Sequence, residues 1–246
     1  MANDDRNCRE MPPEVDVGDH ERELAERLGV EAPEHELAHW ATSNLAVALH
    51  AAGLLPPPDH VAARSLRRAL LVSSARIFRL ARAGIAVIAA GYEAEARSFD
   101  RSLFETRARR IQVLADESGE LATRWLDGKL EGHLGALVRE SLPTGDLDQV
   151  KSLYRRLSGD VHPDLRQFMG NLVREKPTGG YEMSFSPGRT ALARRSLFLY
   201  AWLSAEATAE VGVRTGVDLP HYAELERAVM AAGAHMKRDL GPPAAK

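Results

Sequence analysis

Apolar residues recur every three or four positions through most of the chain, which is the spacing of one face of an α-helix. The first apolar stripe lies within residues 34–54 and ends at Gly53, shortly before three consecutive prolines, which stop a helix. A second, longer stripe begins after Asp59, a residue type that caps helix N-termini. Gly84 and Gly91 interrupt this stripe, and one of them is expected to mark a kink or a change of helix. Further helices are predicted over residues 92–116, 121–137, 146–162, 189–215 and 220–237.

One segment has a different period. Tyr181, Met183 and Phe185 alternate with polar residues, as in a β-strand, and a Pro-Thr-Gly-Gly turn precedes them at residues 177–180. This pattern predicts one small β-hairpin near residues 172–186. Because the apolar stripes elsewhere need partner helices to cover them, the chain is predicted to be mainly α, an antiparallel helical bundle with that hairpin.

The chain contains no internal repeat and no low-complexity linker that would divide it. Residues 34–240 are therefore predicted to form a single helical domain. Residues 1–33 are rich in acidic side chains and have little periodic apolar content, so this N-terminal segment is predicted to be loosely ordered. A composition with 44% hydrophobic and 27% charged residues is typical of a globular protein.

Cysteine content and hydropathy bear on the cellular setting. Cys8 is the only cysteine, which excludes an intramolecular disulfide and a zinc site built on cysteines. The first residues lack the basic segment leading into an apolar one that marks a secretory signal. The most apolar run, residues 83–92, is about half the roughly 20 residues that span a bilayer. The sequence therefore predicts a cytoplasmic protein without a membrane segment.

Charge is distributed unevenly along the chain. Residues 1–36 hold 12 acids and 4 arginines, whereas residues 61–111 hold 11 arginines and 4 acids. A basic stretch such as Arg64 to Arg110 is either the solvated face of a helix or a surface that neutralises the phosphates of a nucleic acid. The second interpretation predicts RNA as a partner.

Several familiar motifs are absent. The chain has no Gly-x-x-x-x-Gly-Lys-Ser/Thr loop, no Gly-x-Gly-x-x-Gly and no Gly-x-Ser-x-Gly, so ATP, NAD and serine-hydrolase chemistry lack support and no cofactor is predicted. His35 and His39 lie one helical turn apart, which allows them to share a metal ion or simply to occupy a solvated helix face. Since no third ligand is evident near them, no metal site is predicted.

The most informative segment is residues 154–163, Tyr-Arg-Arg-Leu-Ser-Gly-Asp-Val-His-Pro. On an α-helix, Arg155 and His162 lie on one face about 10 Å apart along the axis, which leaves room for a phosphodiester. Arg156 and His162 diverge by about 240° around the helix unless Gly159 distorts it. In a symmetric dimer, two such segments can face each other and form a shared site.

These side chains suit RNA cleavage without a metal ion. His162 would act as general base or acid on the ribose 2′-OH or the leaving oxygen, because imidazole titrates near neutral pH. An arginine would neutralise the phosphorane, and the products would be a 2′,3′-cyclic phosphate and a 5′-OH end. Ser158 and Asp160 would support the site, and Tyr154 would stack on a base or pack. Alternatively, His162 caps a helix C-terminus while Ser158 and Asp160 bond the backbone.

Arg101 and Glu105 form a second candidate pair, at i and i+4 within the helix predicted over residues 92–116. If exposed, the two side chains form an ion pair that contributes only a few tenths of a kcal/mol. If buried, the pair orients neighbouring groups in a polar site.

The segment at 154–163 resembles the HEPN superfamily, helical bundles whose ribonuclease members carry an arginine, four to six further residues and then a histidine. Both Arg155 and Arg156 meet this spacing to His162. Those members usually have a polar residue directly after the arginine; here Leu157 follows Arg156 and a second arginine follows Arg155, so both arginines stay open. More narrowly, the chain resembles a bacterial family of uncharacterised helical proteins that carry two motifs. The matching residues are Gly91, Ala96, Arg101 and Glu105 in the first motif, and Tyr154, Arg155, Leu157, Ser158, Val161, His162 and Pro163 in the second.

The resemblance covers roughly residues 60–165. It implies a dimeric, metal-independent endoribonuclease in a toxin–antitoxin or phage-defence setting, with Arg155, Arg156 and His162 as the catalytic candidates. Many relatives keep the bundle and serve as binding or dimerisation modules. The alternative function is therefore a non-catalytic helical interaction module that binds a protein or a nucleotide.

Overall fold

A computed structural model of the protein describes residues 33–130, 173–175, 181–183 and 190–239. The described part of the chain is mainly helical, which confirms the prediction of a mainly α protein. Its six helices are α1 (Pro33–Leu54), α2 (Val61–Ala89), α3 (Glu93–Ala115), α4 (Glu120–Leu126), α5 (Thr190–Thr215) and α6 (Tyr222–Asp239). Within these residues, no helix combines the length and the apolar character that crossing a bilayer requires.

Two short strands, β1 (Val173–Glu175) and β2 (Tyr181–Met183), pair antiparallel with Val173 opposite Met183. Both lie within the range for which the sequence predicts a hairpin, and the residues between them are outside the described part. Residues 131–172 are also outside it. They include the predicted helix over 146–162 and the second half of the helix predicted over 121–137, so these elements stay predictions.

The ends of helix α2 are set by the residues that flank it. His60, rather than Asp59, occupies the N-cap position and has extended backbone angles. The helix continues without a break through Gly84. The chain changes direction at Gly91, whose φ of 87° is in the left-handed region that favours glycine. Of the two predicted interruptions, Gly91 is thus the one that ends the helix.

Gly84 serves packing instead. A Cβ at this position would lie 2.5 Å from the ring of Tyr200 on α5, so only glycine lets the two helices approach this closely. The buried Tyr200 hydroxyl donates a hydrogen bond to the carbonyl of Ala96 on α3. The tyrosine side chain therefore contacts both α2 and α3 from α5.

Helices α3 and α5 run in the same direction. Near their beginnings, the Ser196 hydroxyl on α5 donates a hydrogen bond of 2.6 Å to Asp100 on α3. At their ends, the Arg214 guanidinium donates to the carbonyl of Leu114. Matching positions along both helices are therefore in contact over most of their length.

Helix α1 also begins beside the beginning of α5, where Arg194 forms an ion pair of 2.8 Å with Glu34. Helix α2 runs the opposite way, because Arg82 near its end contacts His39 near the beginning of α1. Helix α6 follows a short connection after Thr215 and packs against α5 and α1.

Helix α5 is the central element of the described part, since it packs against α1, α2, α3 and α6. Alanines dominate the buried face of α1, which allows the backbones of α1 and α5 to come close. The largest apolar side chains buried with them are fully enclosed. They include Leu45, Ile77, Leu103, Leu197 and Leu203.

Candidate nucleic-acid interface

The residues predicted to carry catalysis lie in the part of the chain that the structure does not describe. Their assigned roles therefore stay predictions. These residues are the catalytic candidates Arg155, Arg156 and His162, and the supporting residues Tyr154, Ser158 and Asp160 lie there with them.

The predicted pair of Arg101 and Glu105 forms on α3. The Arg101 Nε atom donates a hydrogen bond of 2.9 Å to Glu105 Oε1, and both side chains are about a quarter exposed or less. The ion pair is therefore confirmed and partly shielded from water. Its role in supporting a catalytic site stays a prediction.

His35 and His39 pack edge to face, with ring centroids 4.6 Å apart. The Arg82 guanidinium lies 2.7 Å from His39 Nδ1, and because a guanidinium only donates, this nitrogen must accept. His39 is then neutral, with its proton on Nε2. Partial burial lowers the pKa of His39, and the neighbouring charges of His35 and Arg82 lower it further.

The pKa of His35 is also lowered by burial, and the nearby Glu36 carboxylate opposes this shift. Among the described residues, no third His, Cys, Asp or Glu side chain converges with this pair to form a metal-binding group. The contact with Arg82 gives the two histidines a structural role at the crossing of α1 and α2.

The basic stretch from Arg64 to Arg110 divides into a buried part and an exposed part. On α3, the side chain of Arg110 has no exposed surface, and Arg107 and Arg109 are also buried. The expectation that the whole stretch faces RNA is therefore wrong for these three arginines. Arg109 donates to Gln112 one turn along α3, whereas Arg107 and Arg110 have partners on another helix that spacing within α3 does not reveal.

Two carboxylates of α5 hold Arg107 and Arg110. Glu206 accepts from Arg107 Nε at 2.8 Å and from an Arg110 Nη atom at 3.1 Å. Glu210 lies 3.0 Å from Arg110 Nε in an ion pair that lacks hydrogen-bond alignment. Burial lowers the pKa of Arg110, and both carboxylates oppose that shift by stabilising the cation.

The sequence does contain a signal for this cluster. Glu206 and Glu210 are the only acids of α5 and lie one turn apart, so they share one face of the helix, and nearby cations would relieve their repulsion. The guanidinium of Arg107 also lies 5.2 Å from the ring centroid of Trp202, a cation–π distance. The cluster stabilises the packing of α3 on α5.

The exposed part of the basic stretch lies on α2. This 29-residue helix contains six arginines and no acidic residue. Its exposed positions recur every three or four residues and carry only arginine, valine or alanine. They are Val61, Arg64, Arg68, Val72, Arg76, Arg79, Arg82 and Ala86.

The five exposed arginines, Arg64, Arg68, Arg76, Arg79 and Arg82, are called the arginine face below. At 100° per residue they fall within a sector of about 120°, and at 1.5 Å per residue they extend over about 27 Å. Arg67 is not part of this face, because its guanidinium donates to backbone carbonyls at the end of α1.

Within the described part of the chain, little engages the arginine face. Apart from the contact of Arg82 with His39, no hydrogen bond or ion pair to another described residue engages these arginines. The opposite side of α2 is fixed in the core through Leu70, Ile77 and Ile85. The helix therefore presents a rigid row of cations that suits a polyanion such as a nucleic-acid backbone.

Comparison of the chain with models of known protein families, with curated proteins and with solved structures gives no match.

Proposed function

We propose that the protein is a metal-independent endoribonuclease of HEPN type, cytoplasmic and active as a homodimer in a toxin–antitoxin or phage-defence setting. Its helices would form one bundle that also carries the small hairpin and in which α2 runs antiparallel to α1. The observation that carries this proposal is the arginine face of α2, a row of exposed cations without acidic neighbours on its helix. RNA supplies the complementary charge.

The chemistry would be carried by the segment at residues 154–163. His162 takes the proton of the ribose 2′-OH, the 2′-oxygen attacks phosphorus, and the bond from phosphorus to the 5′-oxygen breaks. The leaving 5′-oxygen takes up a proton from the imidazolium of a second His162 or from water. Arg155 or Arg156 stabilises the phosphorane charge. The products are a 2′,3′-cyclic phosphate and a 5′-OH end.

The other candidates would have supporting roles. Ser158 and Asp160 would hold the catalytic groups by hydrogen bonds, and Tyr154 would stack on a base or pack. The ion pair of Arg101 and Glu105 would orient groups that pack against α3.

The test is RNA cleavage with EDTA present, with total RNA and tRNA as substrates. We expect cleavage by the wild type and at least a hundredfold slower rate for His162→Ala, because general acid–base catalysis contributes roughly 10²–10⁴-fold. A loss of similar size is expected for Arg155→Ala/Arg156→Ala, because removing a group that stabilises transition-state charge costs roughly 10²–10³-fold. His50→Ala is the matched control, since His50 is exposed on α1. Cleavage by His162→Ala at the wild-type rate would contradict the proposal.

Dimer formation is tested separately by the mass of the purified chain in sedimentation equilibrium. A mass of twice 27.0 kDa supports the shared site, and a monomer at micromolar concentration contradicts it.

A second function is a non-catalytic module that binds an anionic protein or a nucleotide. It is favoured by the chemistry of the arginine face itself, whose exposed residues bind phosphates but hold no group that transfers protons or attacks phosphorus. Binding of a free nucleotide or an acidic protein by the wild type, with no cleavage of total RNA or tRNA, would support this module over the nuclease.

A further inference from the structure

We infer that the arginine face binds the phosphate backbone of double-helical RNA in preference to single strands. This inference rests on the proposed function, because it names the class of RNA that the chain would hold.

The exposed residues of α2 cannot recognise unpaired bases through rings or amides. Every exposed position of this helix carries arginine, valine or alanine. The partly buried Leu71, Phe78 and Leu80 of this helix pack against the core. Single-stranded RNA is held mainly by bases stacked on aromatic rings, or on arginine guanidinium planes, and by hydrogen bonds to base edges; α2 exposes no aromatic ring for such stacking. The exposed residues of α2 instead favour contacts with the sugar-phosphate backbone of RNA.

The spacing of the arginines also favours a duplex. Arg64 and Arg68 form one group, Arg76, Arg79 and Arg82 form another, and Val72 lies exposed between them. The centres of the two groups are about 13 residues, or roughly 20 Å, apart along the helix. An A-form duplex presents a phosphate row on each side of its wide, shallow minor groove. With α2 lying across that groove, each arginine group would contact one strand.

Rigidity gives a third reason. The row is straight because it lies on a single unbroken helix whose other side is packed in the core. A flexible single strand must be ordered along this row, and that ordering costs conformational entropy. A duplex already holds its phosphates in fixed positions, so it loses less on binding.

Val72 fits the same arrangement. It is 46% exposed between the two arginine groups, where a charged residue would be expected if the row followed one strand continuously. An apolar side chain can pack against the ribose edges that line a shallow groove. The gap in charge thus coincides with the groove between the two phosphate rows.

The experiment measures binding by fluorescence anisotropy with the full-length chain carrying His162→Gln, so that cleavage does not consume the probes. The probes are a 20-base-pair RNA duplex and one of its strands, chosen without self-complementarity, at 50 to 200 mM salt with EDTA. We expect the duplex to bind at least tenfold more tightly than the single strand at 150 mM salt.

The key variant is Arg76→Ser/Arg79→Ser, which should weaken duplex binding at least tenfold. It should also lower the slope of log affinity against log salt by about 1 to 2, since each phosphate contact contributes roughly 0.7–0.9. Lys129→Ser/Arg227→Ser removes the same charge at exposed positions outside α2 and should change binding less than threefold.

The outcomes separate the inference from the proposed function. Equal binding of single strand and duplex, with loss of both in Arg76→Ser/Arg79→Ser, overturns the duplex preference and leaves RNA binding in place. An equal loss in the two double variants shows a general charge effect and overturns the assignment to α2. Binding of neither probe contradicts both the inference and the proposed function.

Discussion

The guanidinium of Arg110 on α3 lies 3.1 Å from the Glu206 carboxylate on α5, and the Arg110 side chain has no exposed surface. The two residues are 96 positions apart in sequence. With Glu210 as a second partner, this contact neutralises a buried cation at the junction of α3 and α5. Since the two carboxylates are about a quarter exposed, the cluster also remains in partial contact with water.

Removing the carboxylates should cost more stability than removing the cation. Glu206→Gln/Glu210→Gln leaves a buried guanidinium without compensation, and we expect a loss of about 3 kcal/mol in the free energy of unfolding. Arg110→Met replaces the cation by an apolar side chain of similar length, while Arg107 and Arg214 still pair with the two carboxylates. Urea unfolding should therefore show a smaller loss for Arg110→Met, and the reverse order would contradict this account of the cluster.

Gly84 should not tolerate a methyl group. In Gly84→Ala, the new Cβ would lie 2.5 Å from the Tyr200 ring, so α2 and α5 must separate or the ring must shift. Overpacking of this kind costs about 1–3 kcal/mol, measured by urea unfolding. Gly53→Ala is the control, because its Cβ would meet no atom within 4 Å. The control should be neutral or slightly stabilising, and equal losses in both variants would exclude the packing explanation.

The hydrogen bond from Ser196 to Asp100 should contribute to stability because both side chains are buried. Ser196→Ala removes a donor from a buried carboxylate, for which we expect a loss of about 1–3 kcal/mol in urea unfolding. Ser98→Ala removes an exposed hydroxyl that bonds only the backbone of its own helix, and it should change stability by less than about 0.5 kcal/mol. Similar values for the two variants would show that the contact with Asp100 contributes little.

Stability should fall as the solution becomes acidic, in part through His35 and His39. Their pKa values are lowered in the folded state, so protons bind more readily to the unfolded chain. The stabilisation is complete above the ordinary imidazole pKa of about 6.5 and is lost as the pH falls through that value towards the folded pKa.

The pH effect is tested with His39→Gln, whose side-chain oxygen can still accept from Arg82 but does not titrate. Between pH 7.5 and 5.5, the variant should lose less unfolding free energy than the wild type. His50→Gln alters an exposed histidine of the same helix and serves as the control. A pH dependence in His39→Gln as steep as in the wild type would mean that His39 does not contribute to it.

Local sequence patterns predicted the local structure well. The apolar period located α1, α2, α3, α5 and α6, and the i, i+4 spacing of Arg101 and Glu105 predicted their ion pair. At the majority of helix ends, the observed boundary differs from the predicted one by one or two residues, because capping depends on backbone angles that residue type alone does not fix. At Gly84 the sequence suggested an interruption, but a glycine that makes room for a neighbouring ring is compatible with an unbroken helix.

Contacts between distant segments were not predictable in the same way. Arg107 and Arg110 at the end of α3 appeared equivalent to the arginines of α2 until Glu206 and Glu210 were placed beside them by the packing of α5. Exposure therefore distinguishes the arginine face from a buried ionic cluster within one basic stretch. The catalytic candidates from Tyr154 to His162 lie outside the described residues, so their arrangement rests on sequence spacing and on the HEPN resemblance.

The most direct measurement for the nuclease proposal is the chemistry of the RNA ends left in EDTA, determined by mass spectrometry of a defined substrate. The account predicts 2′,3′-cyclic phosphate and 5′-OH ends from the wild type, and intact substrate after the same incubation with His162→Ala. Ends with a 5′-phosphate, or the same products from His162→Ala, would contradict metal-free cleavage through this histidine.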